Sequence, residues 1–126
     1  MYSYLMQIIF DEKLVPGLSE KYTVLELDTI MQDGLPAPIT LHAVIENVPI
    51  LEMPMLDNLK ELHEQLIGHY KLGDWHLVPH AVEPLMGKFN GELDSFYQEV
   101  LDFAEKCAKL NKKWDGIRHI VSNNAP

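Results

Sequence analysis

Arginine and cysteine are almost missing from this chain: Arg118 is the only arginine and Cys107 the only cysteine. A lone cysteine forms no disulfide within the chain and no multi-cysteine metal site, and it fits a reducing cytoplasm. Near-absence of arginine removes the side chain best shaped for bidentate contact with phosphate or guanine. Positive charge is short as well, with ten basic residues against nineteen acidic ones and a net charge of −9. Neutralising phosphates supplies most of the free energy of nucleic-acid binding, so DNA and RNA are not expected partners. No apolar run approaches the roughly eighteen residues of a membrane span. Residues 1–10 carry neither a basic region nor a small-residue cleavage site. A cytoplasmic protein without a membrane partner is expected.

The motifs Gly-x-Ser-x-Gly, Cys-x-x-Cys, His-Glu-x-x-His and Gly-x-Gly-x-x-Gly are also absent. That removes several enzyme families without excluding catalysis. No cofactor is expected.

What is present describes an ordinary globular domain. The 126 residues are 47% apolar and 23% charged, enough for a hydrophobic core without disulfides or a structural metal. We expect one α+β domain over residues 1–121 and a flexible C-terminal tail over 122–126. Residues 2–10 suit a short strand or a first helical turn, the run being too short to arbitrate. Pro16-Gly17 reads as a turn.

Two stretches then alternate. In Tyr22–Met31 the residues Leu25, Leu27, Thr29 and Met31 share one face, opposite Val24, Glu26, Asp28 and Ile30. In Ile39–Glu46 the residues Ile39, Leu41, Ala43 and Ile45 stand opposite Thr40, His42, Val44 and Glu46. The turn residues between them predict an antiparallel β-hairpin with one buried face. Matching apolar faces and loop length favour a pairing sum near 70, which sets Asp28 opposite His42 and Glu26 opposite Val44.

Past Pro49 the apolar rhythm changes to three and four. Leu56, Leu59, Leu62, Leu66, Ile67 and Tyr70 make an amphipathic stripe, started near Pro54 and Asp57 and ended by Gly73. Trp75 to Met86 continue that spacing, but Pro79 and Pro84 predict a short or kinked helix. Gly87–Gly91 is a loop before the strongest stripe, which runs from Leu93 through Phe96, Tyr97, Val100, Phe103, Ala104, Cys107 and Leu110 to Trp114. Glu92 and Asp94 at its start and Lys109, Lys112 and Lys113 near its end complement the helix dipole, and Gly116 suits a left-handed stop. Ile117–Val121 is expected to pack back as a short extended piece. The fold class is therefore a small antiparallel sheet or hairpin packed on one face by two to three helices.

Tyr22-Thr-Val-Leu-Glu-Leu-Asp-Thr29 and Gly87-Lys-Phe-Asn-Gly-Glu-Leu-Asp-Ser-Phe-Tyr97 resemble stretches of small uncharacterised accessory proteins of marine tailed phages. Leu59-Lys-Glu-Leu-His63 and Asp74-Trp75 are similar to the same group. The resemblance implies an accessory phage or phage-like protein and carries over no catalytic residue.

Three groupings carry possible chemistry. Glu26, Asp28 and His42 would place two carboxylates beside an imidazole on the polar face of the hairpin, as a general base or, with Glu46, a metal site. The plain alternative is a cross-strand ion pair worth under about 1 kcal/mol. His76 and His80 have the i, i+4 spacing of two metal ligands, with Asp74 and Glu83 as further candidates, but Pro79 between them makes a regular turn doubtful. His63 and His69 are six apart, about 120° around a helix, so they cannot share an ion and read as boundary residues. Cys107 falls on the buried stripe, where a thiol acts as a small apolar group.

The residues most in excess are large and apolar. Tyr2, Tyr4, Met6, Met31, Met53, Met55, Phe89 and Trp114 cannot all be central in one core. The expected function is a non-catalytic binding or assembly protein, a homo-oligomer with a possible further protein partner. The alternatives are a small metal-dependent or acid–base enzyme and an acidic regulator that covers a basic host surface.

Overall fold

Both alternating stretches are strands, and past Pro49, where the rhythm changes, the two long helices follow. The computed structural model describes residues 7–9, 12–32, 34, 36–110 and 114–120. Strand β1 spans Gln7–Ile9, helix α1 Val15–Ser19, β2 Thr23–Gln32 and β3 Ile39–Ile45. Helix α2 then covers Leu56–Leu72, α3 Val78–Val82 and α4 Asp94–Leu110, with β4 at Arg118–Ile120. The sheet order is β1-β3-β2-β4. The first three strands are antiparallel, and β4 joins β2 in parallel. This is a small α+β fold.

Residues 2–6, 10, 112, 113 and 121–126 lie outside the described residues, and with them fall the expected tail and part of the N-terminal segment. Within that segment Gln7–Ile9 is strand. Pro16-Gly17 is not a turn but part of α1, where Pro16 occupies the first helical turn. Its missing N–H is one that no helix would have used there.

The pairing corrects the expected register. Thr23 faces Ile45, Leu25 faces Ala43 and Glu26 faces His42, a sum of 68; beyond a bulge, Thr29 faces Thr40 and Ile30 faces Ile39, a sum of 69. The predicted pairs of Asp28 with His42 and Glu26 with Val44 do not occur. A bulge sets two residues of one strand against one of the other and reverses the parity of everything after it. Leu25 and Leu27 are buried before it and Ile30 after it, while Thr29 and Met31 are only half-buried. Each large side chain so buried is worth about 1.5–3 kcal/mol, which fixes the parity on both sides of the bulge. Asp28 at the bulge is buried too, at 1% exposure.

The core lies between the sheet and the helices. Leu25, Leu41 and Ile45 from the sheet meet Leu66 and Tyr70 of α2 and Phe96 and Val100 of α4. Helix α2 stops at Gly73, whose left-handed φ of 77° lets the Asp74 N–H reach the His69 carbonyl at 2.9 Å. Proline confines α3 to five residues, followed by a 3-10 turn over Glu83–Leu85. The Gly87–Gly91 loop holds a surprise, because Phe89 is fully buried and takes a positive φ of 53°. Burial of its ring offsets a backbone strain on the order of 1–3 kcal/mol.

Gly116 has the expected left-handed φ, 82°; whether it stops α4 falls on residues 111–113, which lie outside the described residues. Its role is close approach: a Cβ there would meet the Lys71 carbonyl oxygen at 3.1 Å. Gly116→Ala combines that contact with an unfavourable φ and is expected to cost about 1–2 kcal/mol in urea unfolding. An unchanged midpoint would refute the close-packing role.

Candidate functional site

A carboxylate buried by a bulge needs donors and a counter-charge, and Asp28 finds donors on β2 and α2 and a cation on β4. Its Oδ1 accepts the Thr29 N–H at 3.0 Å and the Tyr70 hydroxyl at 3.0 Å. Its Oδ2 lies 3.1 Å from Nε of Arg118, the only arginine, carried by β4. Arg118 Nη2 also donates to the Tyr70 hydroxyl at 3.0 Å, and the guanidinium lies 4.8 Å from the centre of the Phe103 ring. Trp114 Nε1 donates to the Tyr70 carbonyl at 2.7 Å, next to the end of α2. Burial, and next the charge of Asp28, raise the Tyr70 phenol well above its ordinary range, so it stays protonated.

A second cluster starts two residues earlier on the same strand. The Glu26 carbonyl lies 2.6 Å from His63 Nε2, and His63 Nδ1 lies 2.8 Å from the Tyr97 hydroxyl on α4. A carbonyl oxygen can only accept, so Nε2 carries the proton and the Tyr97 hydroxyl donates to Nδ1. Desolvation dominates here and lowers the His63 pKa to about 4, against smaller raising effects of the Glu26 carbonyl and charge. Tyr97 is raised by burial and then by Asp94. The Glu26 carboxylate pairs with Lys71 of α2.

The predicted acid–base trio is therefore not assembled. Glu26 and His42 do sit opposite each other, but the Glu26 carboxylate goes to Lys71 and the bulge puts Asp28 into the core. His42 is half-buried, and its Nδ1 is buried without a hydrogen-bond partner. Asp28, His63, Tyr70 and Tyr97 are all at or below 1% exposure. Catalytic proton transfer needs a substrate within hydrogen-bond reach; buried this far, these four groups instead join β2 to α2, α4 and β4.

The remaining candidates are dispersed. His76 lies in the turn before α3 and His80 inside it, both exposed, and no third ligand joins them among the described residues. Asp74 pairs with His69 at 3.6 Å. No group of three or more His, Cys, Asp or Glu that could hold a metal ion occurs among the described residues. Cys107 is buried, as its place on the stripe implies.

His63 is a core residue, not the boundary residue expected, and the sequence did carry a signal for it. It lies four residues after Leu59 and three before Leu66, on the apolar stripe itself, where a polar side chain must find a partner. Tyr97 holds the matching place on α4.

The described surface offers two features instead. A cavity of about 400 Å³ opens between the Gly73–Leu77 turn and Cys107 and Ala108 of α4. Exposed Leu72, Leu77 and Leu110 lie in or next to these stretches. The second feature is a 3-10 segment, Ile50–Met55, where Ile50 and Leu51 are 82% and 87% exposed, and Met53 and Met55 are exposed as well. No helix among the described residues is long and apolar enough to cross a membrane.

Fold and surface thus define a small α+β protein whose buried polar groups hold the fold and whose exposed side chains include large apolar ones. No protein-family model matches the chain, and no curated protein or solved structure does.

Proposed function

We propose that the protein acts by binding protein surfaces and not by catalysis, and that one such surface belongs to a second copy of itself. The observation that carries this reading is the placement of Leu72, Leu77 and Leu110. Three large side chains stand in water, Leu77 lining the cavity and Leu72 and Leu110 within two residues of its lining in the chain, with Leu72 at 77% exposure. The charges nearby are of both signs: Lys71, Lys106 and Lys109 against Asp74 and Glu105, with Lys109 and Glu105 paired at 3.2 Å. Mixed charge lets a patch meet its own copy across a two-fold axis without a clash of like signs. Such a contact protein suits the accessory role in a phage or phage-like element that the resemblance implies.

The enzyme reading retains one supporting observation, the His42 Nδ1 without a partner. It loses the carboxylate that was to work with it, since Asp28 serves Tyr70 and Arg118.

Sedimentation at micromolar concentration tests the proposal. The chain is expected to run as a dimer or larger, and Leu77→Asp should raise the dissociation constant at least about tenfold, because a carboxylate would be buried at the contact. Leu77 is exposed, so the variant should keep its helical circular dichroism. A wild-type chain that stays monomeric up to about 100 μM, where even weak dimers are populated, refutes self-association.

A further inference from the structure

The Ile50–Met55 segment differs from the leucine patch in two ways: hydrogen bonds hold it at both ends, and the charges flanking it in the chain are mostly negative. The Glu52 Oε1 accepts the N–H of buried Phe89 at 2.7 Å, and the Glu52 N–H donates to the Pro49 carbonyl at 2.9 Å. The Leu56 N–H then donates to the Met53 carbonyl at the junction with α2. Phe89 itself is held with a positive φ by its buried ring. The ridge is thus fixed at both ends while its apolar side chains face outward, so little conformational entropy remains to be lost on binding.

Residues 46–64 contain five acidic residues, Glu46, Glu52, Asp57, Glu61 and Glu64, and one lysine, Lys60. All but Glu52 of the five are exposed. With Lys60 and with Lys88, next to Phe89, as the cations beside them, these acidic residues flank the ridge in the chain with a net negative border. Two copies meeting ridge to ridge would bring these borders together, and like charges across an interface disfavour a partner. The net charge of −9 works in the same direction. Methionine adds adaptability, because its unbranched, polarisable side chain moulds to varied apolar shapes.

We propose that the Ile50–Met55 ridge binds a basic amphipathic helix of a partner protein, with apolar side chains of that helix on Leu51, Met53 and Met55 and its cations on the acidic border. This extends the protein-contact reading to a second surface and a different occupant. The negative field of the chain would steer such a segment and speed its arrival, while the apolar contact would set how long it stays.

A synthetic helical peptide of about eighteen residues, with leucine on one face and lysine on the other, is the probe, read by fluorescence anisotropy with the full chain. Three results are expected. Binding weakens at least about tenfold when salt is raised from about 0.05 to about 0.5 M; it is lost when the peptide lysines are replaced by glutamine; and Leu51→Gln weakens it about tenfold. Equal binding of the glutamine peptide, or full binding by Leu51→Gln, overturns the proposal, as does capture of the protein by anionic vesicles in place of the peptide. Leu51→Gln should leave the sedimentation behaviour unchanged, and Leu77→Asp should leave peptide binding unchanged, so the two surfaces fail separately. Leu51 is almost fully exposed, so its replacement does not endanger the fold.

Discussion

Acidification from about pH 7 to about pH 4 is expected to remove roughly 3 kcal/mol of stability through one side chain, His63. Its folded pKa is lowered to about 4 because the ring is desolvated, while in the unfolded chain it returns to about 6.5. Between those values the unfolded chain holds a proton that the native protein refuses. Stability is therefore greatest above about pH 6.5, falls as the pH drops towards 4, and falls no further by this route once both states are protonated. The structure explains why the native state refuses: Nε2–H is committed to the Glu26 carbonyl, and Nδ1 accepts from Tyr97. A proton on Nδ1 would turn that acceptor into a second donor and place an ion among Phe89, Phe96 and Tyr97. His63→Gln can keep a donor and an acceptor without titrating. In urea unfolding, the stability gap between wild type and His63→Gln should shrink by about 3 kcal/mol between pH 7 and pH 4. A gap that does not change with pH would show that the histidine is not held neutral.

The largest single-site loss is expected for Asp28→Asn, at about 3–5 kcal/mol in urea unfolding at neutral pH. Asp28 and Arg118 have side-chain exposures of only 2% and 22%. Neutralising the carboxylate leaves the guanidinium desolvated without its counter-charge and disturbs the hydroxyl that both groups share. The physical content lies in the coupling. Arg118→Met alone should also destabilise, by exposing the opposite fault, a buried carboxylate without its cation. The double variant Asp28→Asn, Arg118→Met should recover part of the loss, because replacing both members of a buried pair costs less than removing one. Strictly additive losses would mean that the two residues act independently, and a loss under about 1 kcal/mol for Asp28→Asn would remove the network from any role in stability.

These two residues also mark how far the sequence could be read. The extents of β2, β3 and α2, the proline-limited α3 and the stripe of α4 all follow from spacing, because each depends on which residues one local repeat places on one face. The site was legible only in part. Glu26 and His42 were assigned to the same face and do pair across the strands, but through a register two short of the predicted one. Asp28 was placed on that face by an alternation that the bulge interrupts. The ridge was half-visible: Met53 and Met55 were recognised as surplus to one core, while Phe89, named with them, is buried. Nothing in a spacing rule tells which of several apolar residues the core will leave out.

Composition and periodicity by themselves determined a small acidic α+β chain with a hairpin before helices, since those properties depend on residue type and on repeats a few positions long. Only the tertiary structure decided the bulge at Asp28, the parallel seating of β4 and the partners of His63. Each is set by contacts between residues distant in the chain. Asp28 is stabilised by Tyr70, 42 positions away, and by Arg118 near the other end, while His63 bridges Glu26 and Tyr97. A buried polar group is tolerated where such partners converge, and that convergence exists only once the strands and helices have packed.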